Sequence, residues 1–321
     1  MELATTVRPL SPFRPLALGT SVYAIGSCFA ELMAERLRQY LFPVILNPHG
    51  IVYNPVSAAA MLDPQWREPE LFLHEGQWRS LDHHSGLAWG ARDQALQLLA
   101  NAERLKVHAL EQSQCLLLTL GTAQAFTLAG QNRVVANCHR LPQSLFGRRR
   151  LNGRECWEAL APPLLAWLEQ DPKRQAVVTV SPVRYLRDGL VDNSRGKAAL
   201  LLLCEELEAA HPRLSYFPAY EILIDELRSY RYFERDMVHP NALAVDLVWE
   251  RFARTYLEPE TLPRLADMDR LLAALRHRPA AGTDQRALGE KSLRRLAQLE
   301  TTCPELDTTA WREAFQAMVE P

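Results

Sequence analysis

The amino-acid sequence predicts an α/β fold in which a parallel sheet is covered by helices on both faces and is followed by a helical extension. Two observations support this prediction. Short apolar runs alternate with longer segments in which apolar residues recur at helical spacing. Strands that alternate with helices form parallel sheets, because each helix crosses back over one face of the sheet. From about residue 258 the apolar runs stop and only helical patterns remain.

The first elements follow directly from local pattern. "SVYAIG" predicts a buried strand, and "FAELMAERLRQYL" predicts the helix after it. "FPVIL" predicts a second strand, and "YNPVSAAAML" predicts a short helix with Asn54 as its N-cap and Pro55 in its first turn. Residues 64–92 are rich in Trp, His and Gly without a clean period, and predict a long loop or an irregular insertion.

The middle of the chain continues the alternation. The predicted strands are "QCLLLTLG", "AVVTVSPV" and "LSYFP". The predicted helices are "DQALQLLANAERLKVHALEQS", "GKAALLLLCEELEAAH", "AYEILIDELRSY" and "ALAVDLVWERFARTYL". The basic run at 148–150 predicts a solvated loop, with a phosphate site as the less favoured interpretation.

Two units are predicted along the chain. Residues 1–257 form the α/β domain, and residues 258–321 form a helical C-terminal extension. The extension carries three helical patterns, separated by "RPAAGTD" and "TTCPEL". It can pack on the domain or on a protein partner, and the sequence does not choose between them.

Composition limits the partners and the compartment. The 321 residues carry a net charge of only −2, which argues against nucleic acid or an anionic membrane as the main partner. No apolar run has the length of a signal peptide or a membrane span, so we expect a cytoplasmic protein. The six cysteines form no CxxC pair and are expected to be free thiols. No metal-ligand spacing and no Gly-rich phosphate loop occur, so no metal and no cofactor is predicted.

Gly26, Ser27 and Cys28 lie where the first strand turns into the first helix. Ligands of parallel α/β sheets bind at such turns, beyond the carboxyl ends of the strands. A helix N-terminus favours negative charge, so we expect a lowered pKa for Cys28 and a nucleophilic thiolate. The competing interpretation is that Ser27 caps the helix and Cys28 is a small buried core residue.

Asp236 and His239 stand three residues apart, just before the last helix of the α/β region. In this spacing a carboxylate can orient an imidazole and stabilise its protonated form, as in a nucleophile-His-Asp triad. Such pairs also arise by chance or as helix caps, so the pattern gains meaning from the candidate nucleophile after the first strand.

Several ordered blocks resemble the GSCFA-domain proteins, which are grouped with the SGNH/GDSL hydrolases. The resemblance covers roughly residues 20 to 256 and rests on "GSCFAE", "NPHGIVYNPVS", "LTLGTAQAF", "NCHRLP", "TVSPVRYLRDG", "YFPAYEILIDELRSYRYF" and "DMVHP". It implies a three-layer α/β/α fold with a flavodoxin-like parallel sheet, followed here by the C-terminal helical extension.

The resemblance also implies a catalytic site. The SGNH enzymes carry a nucleophile after the first strand and a late Asp-x-x-His, which match Cys28, Asp236 and His239 by similarity. Ser27 then stands where those enzymes have aspartate. A shift of one residue would make Ser27 the nucleophile, but it displaces the glycine from its matched place, so we prefer Cys28.

The oxyanion-hole donors match less well. By similarity Gly50 is the candidate for the glycine donor. Ala123 stands where the SGNH enzymes have an asparagine, so one side-chain donor is missing, and Asn137 or His139 are the candidate substitutes. Losing such a donor costs about 3 kcal/mol of transition-state stabilisation, which bears on efficient ester hydrolysis.

The resemblance implies an acyl esterase or acyltransferase acting on a small acylated molecule, either a carbohydrate O-acyl ester or a thioester. Cys28 would attack the acyl carbonyl, His239 would act as general base and then acid, and Asp236 would orient His239. The alternatives are a non-catalytic binding or regulatory module that keeps the pocket, and a redox-sensing Cys28.

Overall fold

The computed structural model describes residues 5–65, 68–277 and 285–319. The strands are β1 (Val22–Gly26), β2 (Val44–Leu46), β3 (Phe72–His74), β4 (Gln77–Arg79), β5 (Cys115–Leu120), β6 (Gln124–Leu128), β7 (Val134–Val135), β8 (Phe146–Arg150), β9 (Gln175–Val180) and β10 (Leu214–Tyr216). The helices are α1 (Cys28–Gln39), α2 (Pro55–Ala60), α3 (Arg92–Gln112), α4 (Gly153–Glu169), α5 (Gly189–Ala210), α6 (Ala219–Glu221), α7 (Ala242–Tyr256), α8 (Thr261–Arg276), α9 (Gln285–Thr302) and α10 (Thr309–Val319).

The main sheet has five parallel strands in the order β10-β9-β5-β1-β2. Counted along the chain, these strands run 2-1-3-4-5, which is the order of flavodoxin-like folds. The predicted α/β class is therefore confirmed. The order reverses at β1: the chain runs from β1 to its neighbour β2 on one side and then returns to β5 on the other side. Ligands bind at such a switch point, at the carboxyl ends of the strands.

Two apolar cores cover the two faces of this sheet. Along β1, Val22 and Ala24 belong to one core, and Tyr23 and Ile25 to the other, because side chains alternate across a strand. The first core contains α1 and α7, and the second contains α3, α4 and α5. This arrangement is the predicted three-layer sandwich.

The structure differs from the sequence prediction in several elements. A three-stranded antiparallel sheet, β7-β6-β8, follows β5, and the basic run at 148–150 lies in β8 instead of a loop. The structure also contains the helix α4, which was not predicted and which includes Pro162 and Pro163. The region 64–92 contains the short hairpin β3-β4.

The predicted helix over 219–230 is interrupted. It begins as α6 and continues as a π-helical turn, Ile222–Glu226, and a separate 3₁₀ turn forms at Tyr230–Tyr232. Another predicted helix, over 196–211, begins earlier, at Gly189.

The C-terminal helices α8, α9 and α10 form as predicted and pack on the α1 side of the sheet. Leu271, Leu296 and Phe315 belong to the same core as Leu37 of α1. The hydroxyl of Tyr40 donates to Asp269 at 2.7 Å. The structure therefore answers the open question of the extension, which packs on the domain. The predicted "RPAAGTD" segment lies outside the described residues.

No helix in the described parts of the chain is long and apolar enough to cross a membrane.

Candidate functional site

The turn after β1 requires glycine. Gly26 has a φ of +136°, and a Cβ atom placed on it would lie 2.1 Å from the carbonyl oxygen of Thr119 in the neighbouring strand β5. The side chain of Asn47 fixes the same residue: its Oδ1 accepts from the Gly26 N–H at 2.8 Å, and its Nδ2 donates to the Gly26 carbonyl at 3.1 Å. One side chain therefore holds the peptide groups on both sides of the Gly26 Cα.

Ser27 and Cys28 have separate positions at the start of α1. Ser27 is the N-cap, is only 2% exposed, and accepts from the Phe29 N–H at 3.4 Å. Cys28 is the first helical residue and is half-buried. It lines a small cavity of about 40 Å³ at the carboxyl ends of β1, β5 and β9. The other residues that line this cavity are Ser27, Tyr53, Gly121, Thr122, Ser181, Val183, Arg184 and Tyr185.

Ser27 therefore caps the helix, as the competing interpretation predicted, whereas Cys28 borders a cavity and is not a core residue.

The expected lowering of the Cys28 pKa is wrong. Burial raises the pKa of this thiol, and the negative charge of Glu31 one turn along the helix raises it further. The backbone N–H groups of Cys28 and Phe29 and the charge of Lys197 act in the opposite direction but do not outweigh burial. At neutral pH the thiol therefore stays protonated in this structure, and a base is needed to make it nucleophilic.

Lys197 is a buried cation beneath this cavity, and sequence reasoning gave it no role. Its Nζ donates to the carbonyl oxygens of Gly121 and Ser181, each at 2.6 Å. These two residues follow β5 and β9 and line the Cys28 cavity. Burial lowers the pKa of Lys197 to about 7, and a thiolate at Cys28 would favour its protonated form. The lysine thus fixes two strand ends and places a titratable group under the thiol.

Asp236 and His239 form a preorganised pair. The His239 Nδ1 lies 2.6 Å from Asp236 Oδ2, and Asp236 Oδ1 accepts the backbone N–H groups of Val238 and His239 at 2.9 and 3.0 Å. The backbone N–H and ring of His239, together with the Val238 N–H, lower the pKa of Asp236 to about 2. With Nδ1 on the carboxylate, the other ring nitrogen, Nε2, is the one available to act as a base.

This pair lies at the same sheet edge as Cys28. Helix α7 ends beside Leu16, which precedes β1, so its beginning lies at the carboxyl edge of the sheet. Arg184, which lines the Cys28 cavity, reaches the loop that carries His239: its guanidinium carbon lies 5.2 Å from the centroid of Phe233. Phe233 in turn bridges to Pro240, next to His239. No hydrogen bond joins the Cys28 thiol to His239, both of which the structure describes.

The backbone N–H of Gly50 is already engaged, because it donates to the Asn47 carbonyl at 2.7 Å. Gly50 has a φ of +83° and packs against His84, where a Cβ atom would lie 2.1 Å from the His84 Cβ. The turn thus explains the glycine without an oxyanion role. Ala123 is fully buried.

Asn137 and His139 both line a larger cleft that adjoins the Cys28 cavity. The His139 Nε2 lies 2.7 Å from the Ser80 carbonyl, which can only accept, so the proton of the neutral ring is on Nε2. Burial lowers the pKa of His139, so its Nδ1 remains an acceptor and does not supply an oxyanion donor. Asn137 Oδ1 accepts from the His139 N–H at 2.8 Å, which leaves its Nδ2 donor groups to the cleft.

The larger cleft has a volume of about 910 Å³ and shares Tyr53, Thr122 and Tyr185 with the Cys28 cavity. Its walls come from the β7-β6-β8 sheet, the loop that follows β7, and the segment that leads to α5. Sequence reasoning did not place a cleft here because it did not predict this sheet. The volume is large enough to hold a substrate whose reacting end reaches Cys28.

A buried polar group lines a separate cavity of about 420 Å³. Glu103 of α3 is buried between His49, whose Nε2 lies at 2.9 Å, and Lys106, whose Nζ lies at 2.8 Å. The described residues contain no cluster of three or more His, Cys, Asp or Glu side chains that could hold a metal ion.

Comparison with known proteins gave one result. A search of curated proteins found no match. The model of the GSCFA family matches residues 21–252, which is well over half of the 321 residues and includes Cys28, Asp236 and His239. The chain therefore belongs to the GSCFA family.

Proposed function

We propose that the protein is an SGNH-like acyl hydrolase or acyltransferase with Cys28 as nucleophile, His239 as general base and Asp236 as its orienting carboxylate. One observation carries the proposal: the Asp236–His239 hydrogen bond leaves the imidazole Nε2 available at the sheet edge where Cys28 borders a cavity. The sheet order and the position of Cys28 after β1 support the SGNH-like comparison.

The proposed reaction has two balanced steps. The Cys28 Sγ bonds to the acyl carbon while His239 Nε2 takes the thiol proton, and the bond from the acyl carbon to its leaving oxygen or sulfur breaks. The leaving atom takes the proton from His239. A water molecule or an acceptor hydroxyl, thiol or amine then attacks the acyl carbon of the thioester and loses a proton to His239. The bond from that carbon to the Cys28 Sγ breaks, the sulfur takes the proton from His239, and the acyl product leaves.

The developing oxyanion needs hydrogen-bond donors. The N–H of Cys28 is at the first position of α1, where no intrahelical acceptor exists. The Thr122 Oγ1 accepts from Gln124 at 3.1 Å, so its hydroxyl proton can point into the cavity that it lines with Cys28. We propose these two groups as oxyanion donors in place of Gly50 and His139. The amide of Asn137 is better placed to contact substrate in the larger cleft.

Catalysis requires the thiol and the imidazole to come together. His239 and Asp236 are each about half exposed, at 47% and 48% of their side-chain surface, so substrate can cover this turn when it binds. Catalytic hydrogen bonds in free enzymes are often long and close only in the substrate complex.

Intact-mass spectrometry after incubation with p-nitrophenyl acetate tests the proposal. We expect one acetyl adduct on the wild type, mapped to Cys28, and none at that site in Cys28→Ala. Cys138 is the matched control thiol, because it is also half-buried and lines the adjoining cleft. Cys138→Ala should acylate like the wild type.

His239→Ala should slow acylation at neutral pH by roughly a hundredfold or more, because the protonated thiol then lacks its base. Alkylation of Cys28 by iodoacetamide at high pH, where no base is needed, should be unchanged. Equal adduct formation in Cys28→Ala and the wild type would refute the assigned nucleophile.

A second candidate, a binding module without turnover, is favoured by the raised pKa of Cys28 and by the engaged N–H of Gly50. It predicts that the wild type forms no adduct but binds an acylated sugar or thioester in the cleft, with the same affinity as Cys28→Ala. Calorimetry with such compounds separates the two functions.

A further inference from the structure

A buried lysine beneath the Cys28 cavity has no carboxylate partner. Lys197 of α5 is only 2% exposed. Its Nζ donates to the carbonyl oxygens of Gly121 and Ser181, and no carboxylate among the residues that the structure describes forms an ion pair with it. Burial without a counter-charge is costly for a cation, because desolvation disfavours its charged form. An anion beside Lys197 would offset that cost.

Lys106 shows the usual arrangement of a buried lysine. It is 3% exposed, and its Nζ lies 2.8 Å from Glu103 Oε1. The two lysines are therefore buried to the same degree and differ in their partners. Lys106 has a carboxylate, whereas Lys197 has two carbonyl groups that carry no net charge.

The two carbonyl groups place Lys197 at the strand ends that border the thiol. Gly121 and Ser181 follow β5 and β9 and line the cavity together with Cys28. Gly121 also packs closely on the residue before the thiol, because a Cβ atom placed on it would lie 3.2 Å from the Ser27 Cβ. The lysine is thus fixed to backbone that directly adjoins the beginning of α1.

Both protonation states of Lys197 can keep these two hydrogen bonds. A neutral amine has two N–H groups, and an ammonium has three. With two of them on Gly121 and Ser181, the third N–H of the ammonium has no hydrogen-bond partner among the described residues. Because burial lowers the pKa of Lys197 to about 7, both states are populated at neutral pH. The lysine can therefore respond to a change of charge at the thiol without releasing either strand.

The other titratable groups near the thiol do not supply this charge. Burial raises the pKa of the Cys28 thiol, Glu31 raises it further, and the charge of Lys197 lowers it. Burial also raises the pKa of Tyr53, which lines the cavity, and of Tyr220, whose ring centroid lies 6.0 Å from the Lys197 Nζ, so both stay neutral near pH 7. The remaining titratable residues that line the cavity are Arg184 and Tyr185.

We propose that Lys197 is a positioning residue whose ammonium group is the counter-charge of the Cys28 thiolate. The inference rests on the proposed function for the use of that thiolate in acyl transfer, and it adds a residue to the site. When His239 Nε2 takes the thiol proton, the sulfur becomes negative, and the ammonium is a cation already held beneath it. Lys197 keeps its own proton throughout and transfers none.

The pH dependence of Cys28 alkylation in Lys197→Met tests the proposal. Iodoacetamide reacts with the thiolate, so the rate measured by peptide mass spectrometry reports the thiolate fraction at Cys28. A nearby opposite charge lowers a pKa by about one unit or more. At pH 6 we therefore expect Cys28 to react about tenfold more slowly in Lys197→Met than in the wild type. The two rates should converge above about pH 9, where the wild-type lysine is neutral because its pKa is about 7.

Lys106→Met is the matched control, because it makes the same change at an equally buried lysine whose charge Glu103 already balances. Its alkylation profile should match that of the wild type. A merely structural role for Lys197 would change the access of the reagent to Cys28 by the same factor at every pH. A rate ratio that is constant with pH, or equal to one at pH 6, would overturn the proposal.

A second measurement keeps the lysine in place and so does not depend on the folding of Lys197→Met. In ¹³C-lysine-labelled Cys138→Ala, Cys28 is modified with iodoacetate, which leaves a negative charge, or with iodoacetamide, which leaves none. By nuclear magnetic resonance, the titration midpoint of the Lys197 Cε should lie about one pH unit higher with the anionic group. The signals of Lys106, Lys173 and Lys291 are internal references and should not differ. Equal Lys197 midpoints in the two modified proteins would refute the counter-charge.

The same samples separate this inference from the proposed function. Acylation of Cys28 by p-nitrophenyl acetate, together with a rate ratio that does not vary with pH, would refute the role of Lys197 alone. A ratio that varies with pH as expected, in a protein that forms no acyl adduct, would refute the proposed function and leave the charge pair in place. Where both hold, acylation at pH 6 should also be slower in Lys197→Met, by about the same factor as alkylation.

Discussion

At Cys28, burial and a nearby negative charge oppose the effect of the helix N-terminus on the pKa of the thiol. Backbone N–H groups at the N-terminus of α1 favour a thiolate, yet desolvation and Glu31 raise the thiol pKa. Glu31 lies one turn along the same helix, where acidic residues normally stabilise the first turn. The residue that favours the helix therefore also keeps the thiol protonated until a base acts.

Glu31→Gln should lower the pKa of Cys28, because it removes a nearby negative charge that disfavours the thiolate. The pH dependence of Cys28 alkylation by iodoacetamide, followed by peptide mass spectrometry, measures this pKa. Glu35→Gln, one turn further along α1, serves as the control and should leave the profile unchanged. A Glu31→Gln profile identical to that of the wild type would show that burial alone raises the pKa.

Single residues also show which features the sequence predicts and which contacts it does not. The glycine and the cap of α1 are local features, and "IGSCFAE" predicts both of them. The position of Lys197 is not local, because its partners Gly121 and Ser181 follow different strands. Asn193 lies inside α5, and its Oδ1 accepts the Tyr185 N–H at 2.8 Å, a contact that no local pattern predicts.

At the scale of elements, α3 anchors the loop after β2 through buried charges. Burial alone would raise the pKa of Glu103, but hydrogen bonds from His49 and Lys106 outweigh it and leave the pKa lowered. The His83 ring lies 4.5 Å from His49, and burial lowers the pKa of His83 to about 3, so it adds no positive charge at neutral pH. The Glu103 carboxylate thus contacts both His49 of the loop and Lys106 of its own helix.

Glu103→Gln should lower the free energy of unfolding by about 3 kcal/mol at pH 7, because it leaves the buried Lys106 without its counter-charge. Since the folded pKa of Glu103 lies below its ordinary value, its contribution is complete above about pH 4.3 and is lost as pH falls through the folded pKa. The difference between variant and wild type should therefore narrow below about pH 4 in urea denaturation.

Glu158→Gln is the control for that series, because it removes a carboxylate from an exposed ion pair with Arg154 on α4. It should change the stability by less than about 0.5 kcal/mol. A Glu103→Gln difference that stays constant down to pH 3 would contradict the assigned ion pair.

Regular alternation explains which elements the sequence predicted. Strands β1, β5 and β9 are buried on both faces and read as nearly continuous apolar runs. The β7-β6-β8 sheet has mixed, half-exposed strands whose partners are set by tertiary contacts, so no periodic signal predicts it. The sequence does contain a signal for the start of α4, because Asn152 and Glu155 form a capping box. This signal is stronger evidence for a helix than Pro162 and Pro163 are against one.

At the scale of the whole molecule, the C-terminal helices share a core with the sheet. Phe315 of α10 is fully buried in the core that also contains Phe29, Phe217 and Phe252. The boundary near residue 258 therefore divides the sequence patterns without dividing this apolar core. We infer that the extension unfolds together with the domain.

Phe315→Ala should lower the stability of the whole chain by about 3 to 5 kcal/mol, because it opens a cavity in this shared core. Urea denaturation followed by far-UV circular dichroism and by tryptophan fluorescence should give a single coincident transition at a lower midpoint. Phe13→Ala, at a residue that is 50% exposed, is the control and should leave the midpoint nearly unchanged. Two separate transitions would show that the extension is an independent unit.

The contact between Asn47 and Gly26 fixes where residue 28 lies and does not depend on which side chain it carries. The Asn47 side-chain amide accepts from the Gly26 N–H and donates to the Gly26 carbonyl, and neither bond involves the side chains at 27 or 28. Replacement of the side chain at position 28, in evolution or by design, should therefore change the chemical group at this turn and leave the backbone conformation unchanged. Loss of the Asn47 amide should have the opposite effect: the thiol would remain, but the backbone that positions it would lose two hydrogen bonds.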